Sequence, residues 1–161
     1  MRMGEGVEWA LHCCLALAWL ADEAPISTAK LAAAFGLPPT YLNKSLQALV
    51  KAGVLSSVPG IRGGFQLARP PSEITVLDVV LAIDGTEYLF RCTEIRQQGI
   101  GATQCPHEFM QPCGIATAMR RAELAWRREL ANQTLIDLME TAPDTAANRM
   151  RSWWYEQQLK K

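Results

Sequence analysis

Two side chains near the start of the chain have the types and spacing of a metal-ligand pair. Glu8 and His12 stand four residues apart in the apolar segment 7–21. If this segment is helical, both side chains project from one face, where a carboxylate and an imidazole can bind one metal. The same spacing also occurs in exposed pairs that form only a weak salt bridge. Two ligands are too few for a site, so the others must come from elsewhere in the chain or from a second copy.

A second group of candidate ligands lies in a long stretch that lacks helical or strand periodicity. Residues 87–114 are rich in glycine and proline, and a loop of roughly 25 residues in a compact domain needs an internal staple. Its thiol and imidazole side chains are Cys92, Cys105, His107 and Cys113. Thiolates suit zinc and iron-sulfur clusters. These four side chains could instead complete a site within one subunit, or the thiols could remain free.

The cysteine count and the distribution of apolar residues indicate the compartment. The five cysteines cannot all pair within one chain, and in a reducing compartment such cysteines bind metal, sense oxidation or fill a core. Neither a secretory signal nor an apolar run of about 18 residues is present. We therefore expect a cytoplasmic protein without a membrane partner. Cys13 and Cys14, on an apolar helix, are expected in the core.

The elements that follow the first helix predict a winged helix-turn-helix. Ser27 or Thr28 can cap a short helix that Gly36 ends, and a second helix starts at Pro39 or Thr40. Residues 54–58 and 64–68 have strand composition, and the glycine-rich turn between them predicts a β-hairpin wing. The predicted fold class is mainly α with a small β-hairpin wing, namely a winged helix-turn-helix plus a long dimerisation helix.

The charge distribution within this region favours nucleic acid, although the net charge of the chain is zero. No acidic residue occurs between Ala24 and Ser72, whereas five lysines and arginines lie there. A local cationic surface attracts a polyanion even when the whole molecule is neutral. The candidate DNA-contacting residues are Ser27, Thr28, Thr40, Tyr41, Lys44, Ser45, Gln47, Arg62 and Gly63. A merely solvated basic face is the alternative interpretation.

The rest of the chain is predicted to be helical outside the cysteine loop. We expect helices at residues 75–83 and 145–159, and one long amphipathic helix at residues 115–140. The long helix is suited to packing against a partner subunit, and packing on its own domain is the alternative. The resulting domain division is a DNA-binding domain at 1–84, a loop at 85–114 that carries the candidate ligands of a metal or cluster, and a dimerisation helix with a C-terminal helix at 115–161.

Four features of the chain together resemble the Rrf2 family of bacterial transcription regulators. They are the winged helix, the turn at 60–65, the segment 74–80 and the cysteine loop before a long helix. The segments 7–14 and 92–97 are most similar to its redox-sensing iron-sulfur members. This resemblance implies a homodimeric repressor that holds a 2Fe-2S cluster between subunits. It implies Glu8 and His12 from one chain and Cys105 and Cys113 from the other as ligands. The alternative ligands are Cys92 and His107.

The expected function follows from the fold and from that resemblance. We expect a repressor of a double-stranded DNA operator, controlled by the redox state of its cluster, with Trp9 relaying that state to the DNA-binding helices. In one alternative, a single-subunit iron-sulfur or zinc site, or cysteine oxidation, is the sensor in the same fold; a purified sample could hold zinc or be apo. A second alternative is a DNA-free protein interaction module. An enzyme is not expected, because the adjacent His12 and Cys13 cannot turn toward each other as base and nucleophile.

Overall fold

The computed structural model describes residues 3–99 and 106–159. These residues divide into two units. The winged unit comprises residues 3–85 and 130–159, and the loop unit comprises residues 86–99 and 106–129. The predicted fold class, mainly α with a small β-hairpin wing, is confirmed. Within the described ranges, no helix is both long enough and apolar enough to cross a membrane.

The helices and strands follow the predicted order, and most boundaries differ by one or two residues. The helices are α1 (Glu5–Trp19), α2 (Thr28–Phe35), α3 (Pro39–Lys51), α4 (Val76–Asp84), α5 (Gly114–Ala131), α6 (Leu135–Thr141) and α7 (Asp144–Leu159). The strands are β1 (Leu55–Val58) and β2 (Gly64–Leu67). Short 3-10 turns occupy Ala21–Glu23, Pro71–Glu73, Ile95–Gln97 and Pro106–Phe109.

Helix α1 lies at the centre of the winged unit. It packs against α3, α4, α6, α7 and β2. Its inner face carries Ala10, Cys13, Cys14 and Leu17, none more than 1% exposed. The prediction that both cysteines are core residues is therefore confirmed. The small side chains of Ala10, Cys13 and Cys14 allow several elements to approach the helix closely, so α1 organises the hydrophobic core.

Local backbone chemistry sets the limits of the helix-turn-helix. The Ser27 side chain accepts a hydrogen bond from the Lys30 N–H at 3.4 Å and caps α2. Gly36 ends α2 in the left-handed conformation, with φ 64°, which glycine adopts without steric cost. Pro39 occupies the first turn of α3, where its missing N–H is not needed.

The wing is fastened directly to the helix-turn-helix. β1 and β2 pair antiparallel, with Leu55 opposite Leu67 and Val58 opposite Gly64. Phe65 also exchanges backbone hydrogen bonds with Ile26, at 2.8 and 2.9 Å. A Cβ atom at Gly64 would lie 2.3 Å from the Ile26 carbonyl, so this close approach requires glycine. The segment before α2 thereby holds β2 at its end nearest the turn.

The predicted single helix over residues 115–140 is wrong. α5 ends at Ala131, and Thr134 begins α6 with a capping box in which Thr134 and Asp137 bond reciprocally. The Leu135 N–H donates to the Ile74 carbonyl at 2.9 Å, and the Trp154 indole donates to Glu23 at 3.1 Å. Residues 130–159 therefore pack within the winged unit, whereas residues 114–129 belong to the loop unit.

The capping box yields a stability prediction. Thr134→Ala removes the side-chain acceptor of the Asp137 N–H, so we expect the free energy of unfolding in urea at pH 7 to fall by about 1 kcal/mol. Ser152→Ala, at an exposed position in α7, should change it by less than about 0.5 kcal/mol. Equal stability of Thr134→Ala and the parent protein would contradict a stabilising cap.

The same cap should depend on pH. Hydrogen bonds from the Thr134 N–H and hydroxyl lower the pKa of the Asp137 carboxyl below its ordinary 3.8. A lowered pKa means that the carboxylate stabilises the fold above pH 3.8, and that this contribution disappears as the pH falls through the lower folded value. The stability difference between the parent and Asp137→Asn should therefore shrink on acidification, measured by urea unfolding. A difference independent of pH would contradict this account.

Candidate nucleic-acid interface and metal ligands

Helix α3 separates an apolar inner face from a polar outer face. Leu42, Leu46 and Leu49 are fully buried at helical spacing and fix the rotation of the helix. The side chains of the opposite face are consequently solvent-exposed; among them are Thr40, Tyr41, Lys44 and Gln47. Amide, hydroxyl and ammonium groups on such a face can reach base edges and phosphates in a major groove.

Two residues on α3 differ from their sequence-based assignment. Ser45, predicted to contact DNA, is 7% exposed and lies on the side facing α1, where its Oγ would be 3.8 Å from a Cβ at Gly6. Asn43, which was not predicted, is exposed, and its amide oxygen accepts a hydrogen bond from the Thr28 hydroxyl at 3.2 Å. The sequence did contain a signal for Asn43: it lies three residues after Thr40 and four before Gln47, a spacing that places it on the same helix face as both.

The wing presents a two-residue tip. The Gly63 N–H donates to the Gly60 carbonyl at 2.9 Å, closing a turn with Ile61 and Arg62 at its two corners. Both side chains are exposed. Gly63, predicted to contact DNA, is held against the backbone, because a Cβ there would lie 2.0 Å from the Val58 carbonyl. Its role in the described geometry is to shape the turn that presents Arg62.

The five cations of the acid-free segment have different environments. Arg69 forms an ion pair with Asp78 at 3.3 Å and donates to the Glu73 carbonyl at 2.8 Å, so it fastens the residues after the wing to α4. Lys30 lies over the Trp154 ring, 4.3 Å from its centroid, and joins α2 to α7. Lys44, Lys51 and Arg62 are exposed. The cationic surface therefore consists of α3 and the wing tip.

Glu8 and His12 lie on the exposed side of α1, as their spacing predicts. Between them in sequence, Trp9 is half-buried and meets the Tyr41 ring of α3 edge-on, with ring centroids 5.2 Å apart. The His12 ring lies 5.8 Å from the Phe35 ring at the end of α2. The surface that carries the carboxylate and the imidazole thus contacts both helices of the helix-turn-helix.

The neighbouring Cys13 and Cys14 are unsuited to metal binding. Burial raises the pKa of the Cys13 thiol to about 12. Burial, and then the charge of Cys13, raise the pKa of Cys14 further. Both thiols therefore stay protonated at neutral pH, whereas a metal ligand must be a thiolate.

Cys113 has the opposite environment, at the start of α5. The backbone N–H groups of Ala116 and Ile115 bond to its sulfur and lower the pKa of the thiol, with a further contribution from the Arg96 guanidinium. Desolvation and the Glu94 carboxylate oppose this shift. A thiolate here is stabilised as an anion at a helix N-terminus and is 9% exposed, which suits a ligand.

Cys92 lies in a segment that a short polar network holds. The thiol is exposed and is 3.4 Å from a Glu94 carboxylate oxygen. Glu94 adopts a left-handed conformation, φ 50°, and pairs with Arg96 at 2.7 Å. Arg96 also donates to the Gln111 carbonyl at 3.2 Å, which ties the Cys92 segment to the residues before Cys113.

The pKa of Cys92 reflects this network. The Glu94 backbone N–H lowers the pKa of the thiol, but desolvation, the Glu94 carboxylate and the charge of Cys113 together raise it above its ordinary value. The hydrogen bond from Arg96 to the Gln111 carbonyl places the Cys92 segment against the residues that precede Cys113.

The predicted ligands fall into two groups. Glu8 and His12 belong to the winged unit, while Cys92, Cys113 and the exposed His107 belong to the loop unit. Cys105 lies outside the described residues. Among the residues that the structure describes, no group of three or more histidine, cysteine and acidic side chains is arranged to hold a metal ion.

Comparison with known proteins places these features in a family. The model described as "Rrf2: Iron-dependent Transcriptional regulator" matches residues 3–141. Protein rrf2 of Nitratidesulfovibrio vulgaris is 32% identical over 151 residues, covering 92% of this chain and 95% of that protein. The HTH-type transcriptional regulator NsrR of Geobacillus kaustophilus is 29% identical over 140 residues, covering 87% and 90%.

A solved structure supports the same fold. The structure described as T. potens IscR superposes with a TM-score of 0.65 and covers 91% of both chains, at 22% sequence identity. At that identity the likeness concerns the fold alone. The fold of the chain is therefore shared with this solved structure.

Proposed function

This chain belongs to the Rrf2 family of transcriptional regulators, and from that premise we propose that it is a homodimeric repressor controlled by a redox-active cluster. In this proposal, a 2Fe-2S cluster at the dimer interface sets the affinity for a pseudo-palindromic operator. The observation that carries the proposal is the position of α1. One of its faces displays Glu8 and His12, and Trp9 on the same helix contacts α3, the proposed recognition helix.

The DNA-binding part of the proposal rests on the exposed surface of α3 and the wing. Lys44 and Arg62 are exposed in an acid-free segment, and the hydrogen-bonded turn at the tip of the wing presents Arg62 to solvent. An arginine at such a tip can enter a minor groove while α3 occupies the adjacent major groove. This arrangement supports operator contacts from Thr40, Tyr41, Gln47 and Asn43, with Ser27 and Thr28 near the phosphates.

The chemistry of the donor groups fits an iron-sulfur cluster. Cys113 offers a thiol whose pKa is lowered by backbone N–H groups at a helix N-terminus, and Glu8 and His12 offer oxygen and nitrogen donors from one helix face. The hydrogen bond from Arg96 to Gln111 supports Cys92 as the second thiolate, whereas the family resemblance favours Cys105. When bound, the cluster supplies a centre that gains or loses one electron.

We propose a dimer because the winged unit and the loop unit each carry only half of the metal donors that the cluster needs. Two copies could each offer Glu8 and His12 to the partner's thiolates, which requires a symmetric interface. The α5 surface supports such an interface, since Ile115 and Met119 are 66% and 44% exposed on one stripe. Exposed apolar side chains at helical spacing fit a partner helix.

The coupling would run through contacts of α1. A change in the positions of Glu8 and His12 displaces α1, and the Trp9–Tyr41 and His12–Phe35 ring contacts pass this displacement to α3 and α2. Because the two recognition helices of a dimer must match the half-site spacing, a small shift changes operator affinity.

DNA binding is tested on an operator obtained by selection from random duplexes. Lys44→Ala and Arg62→Ala should each weaken binding and reduce the slope of log affinity against log salt by about 1, because each removes one phosphate or groove contact. Arg149→Ala, which removes an exposed charge on α7, serves as the control and should leave both quantities unchanged. Failure of the parent protein to bind any duplex at low salt would instead favour a protein-interaction module.

Ligation is tested by iron, sulfide and visible absorption of anaerobically purified protein. His12→Ala and Cys113→Ser should lose most of the iron and the colour, because each removes a ligand, while His107→Ala should retain both. Comparing Cys92→Ser with Cys105→Ser identifies the second thiolate. Loss in His107→Ala with retention in His12→Ala would establish the single-subunit alternative, and a colourless zinc protein would exclude the cluster.

The relay is tested by operator affinity in the oxidised and reduced states. In the parent protein, the ratio of the two operator affinities should lie in the range of about 5- to 150-fold that is typical of allosteric coupling. We expect Trp9→Ala to bring this ratio close to one, and Trp9→Phe to have an intermediate effect. Trp19→Phe, on the same helix, should preserve the ratio. An unchanged ratio in Trp9→Ala with a normal iron content would remove Trp9 from the mechanism.

A further inference from the structure

Helix α5 carries a buried carboxylate that the proposed function does not use. The Glu123 side chain is only 4% exposed, although its helix is otherwise largely solvent-exposed in the described chain. One carboxylate oxygen accepts a hydrogen bond from the Leu89 backbone N–H at 3.0 Å. The contact joins residues 34 positions apart in sequence. A buried charge needs such partners, because desolvation without them is costly.

Arg127 supplies the opposite charge and extends the connection. Two of its N–H groups donate to the other Glu123 oxygen, at 2.8 and 3.0 Å. The same guanidinium donates to the backbone carbonyls of Thr86 and Glu87, both at 3.1 Å. The planar guanidinium has fixed donor directions, so these four bonds define an orientation as well as a contact.

An aromatic ring completes the network. Tyr88 packs against the guanidinium groups of Arg120 and Arg127, 4.7 and 5.1 Å from its ring centroid. The Tyr88 hydroxyl also accepts a hydrogen bond from Arg120 at 3.3 Å. Residues 86–89 are therefore fixed on α5 by backbone and side-chain contacts; we call this set of contacts the Glu123–Arg127 clamp.

The clamp lies close in sequence to both described thiols of the loop unit. Cys92 follows Leu89 by three residues, and Cys113 immediately precedes α5, the helix that carries the clamp. On the far side of Cys92, Arg96 donates to the Gln111 carbonyl, two residues before Cys113. The segment that contains Cys92 is thus fastened at both ends to the elements that carry Cys113.

We propose that Glu123 and Arg127 are positioning residues that hold Cys92 beside Cys113 as a preorganised dithiol. The pair can then take a thiophilic ion or a trivalent arsenical through both sulfurs. Only the identification of its natural occupant as an iron-sulfur cluster rests on the proposed function. The dithiol itself needs neither iron nor DNA.

The probe is phenylarsine oxide, which reacts with two thiols at once. Two As–S bonds form, the arsenic–oxygen bond breaks, and the oxygen leaves as water with both thiol protons, without oxidation or reduction. Closing the second bond is intramolecular only when the thiols are already adjacent. The full-length metal-free protein should carry Cys105→Ser, so that Cys92 and Cys113 are the remaining loop thiols; Cys13 and Cys14 are fully buried.

In this background, we expect one phenylarsine oxide per chain, bound at least ~10-fold more tightly than by the same protein with Cys92→Ser added. Adding Glu123→Ala or Arg127→Ala should reduce the affinity to the single-thiol level. Arg128→Ala, the exposed neighbour on α5, should leave it unchanged. Iodoacetamide should alkylate Cys92 and Cys113 each at the same rate in every variant that retains that thiol. This control separates a loss of positioning from a general loss of structure.

Conservative variants address any failure to fold. Glu123→Gln keeps an acceptor for the Leu89 N–H but loses the ion pair, and Arg127→Lys keeps the charge but not the forked donors, so both should show intermediate affinity. Folded Glu123→Ala or Glu123→Gln protein that binds the arsenical as tightly as its background would overturn the proposal. So would a background protein that binds no better than its Cys92→Ser form. Neither comparison depends on the iron content of the protein. The dithiol proposal and the iron-sulfur cluster proposal can therefore be contradicted separately.

Discussion

The burial of one face of α1 is the constraint on which the winged unit depends. Small side chains along that face, including Ala10, Cys13 and Cys14, let α3, α4, α6, α7 and β2 approach one helix. A helix held on this many sides cannot rotate without disturbing all of them. Its remaining exposed stripe, with Glu8 and His12, therefore has a fixed orientation, and Trp9 at its edge touches the recognition helix. Structural core and candidate sensor share a single element.

The helix-turn-helix and the wing form a second level of organisation. Hydrogen bonds exchanged between Ile26 and Phe65 join the segment before α2 to the wing, so the helix-turn-helix and the wing share a backbone connection. Within the acid-free segment, Lys30 and Arg69 join elements of the unit, while Lys44 and Arg62 are exposed on the proposed DNA-binding surface. The absence of acids thus has two effects, because it leaves the surface cationic and removes competing partners for those structural contacts.

The loop unit is stabilised mainly by polar contacts. Residues 86–99 bury little apolar surface, and their described order comes from Glu123, Arg127 and Arg96, which bond to backbone groups across long sequence separations. Hydrogen bonds to charged groups fix direction as well as distance, which suits a segment that must place a thiol. The two units therefore carry different candidate metal donors: oxygen and nitrogen on α1 of the winged unit, and sulfur in the loop unit.

The sequence by itself determined the type and order of the elements, because helix caps and turns are local. Ser27, Gly36, Pro39 and the wing glycines each specify a backbone conformation through their own chemistry. The sequence also determined the acid-free segment and the shared face of Glu8 and His12. The break before Thr134 had a local signal, but continuing apolar periodicity concealed it. Only the tertiary structure decided that Ser45 is buried, that Arg69 is tied to Asp78 and that Glu123 holds Leu89. Such pairings depend on which side chains folding brings together, and sequence spacing carries no information about them.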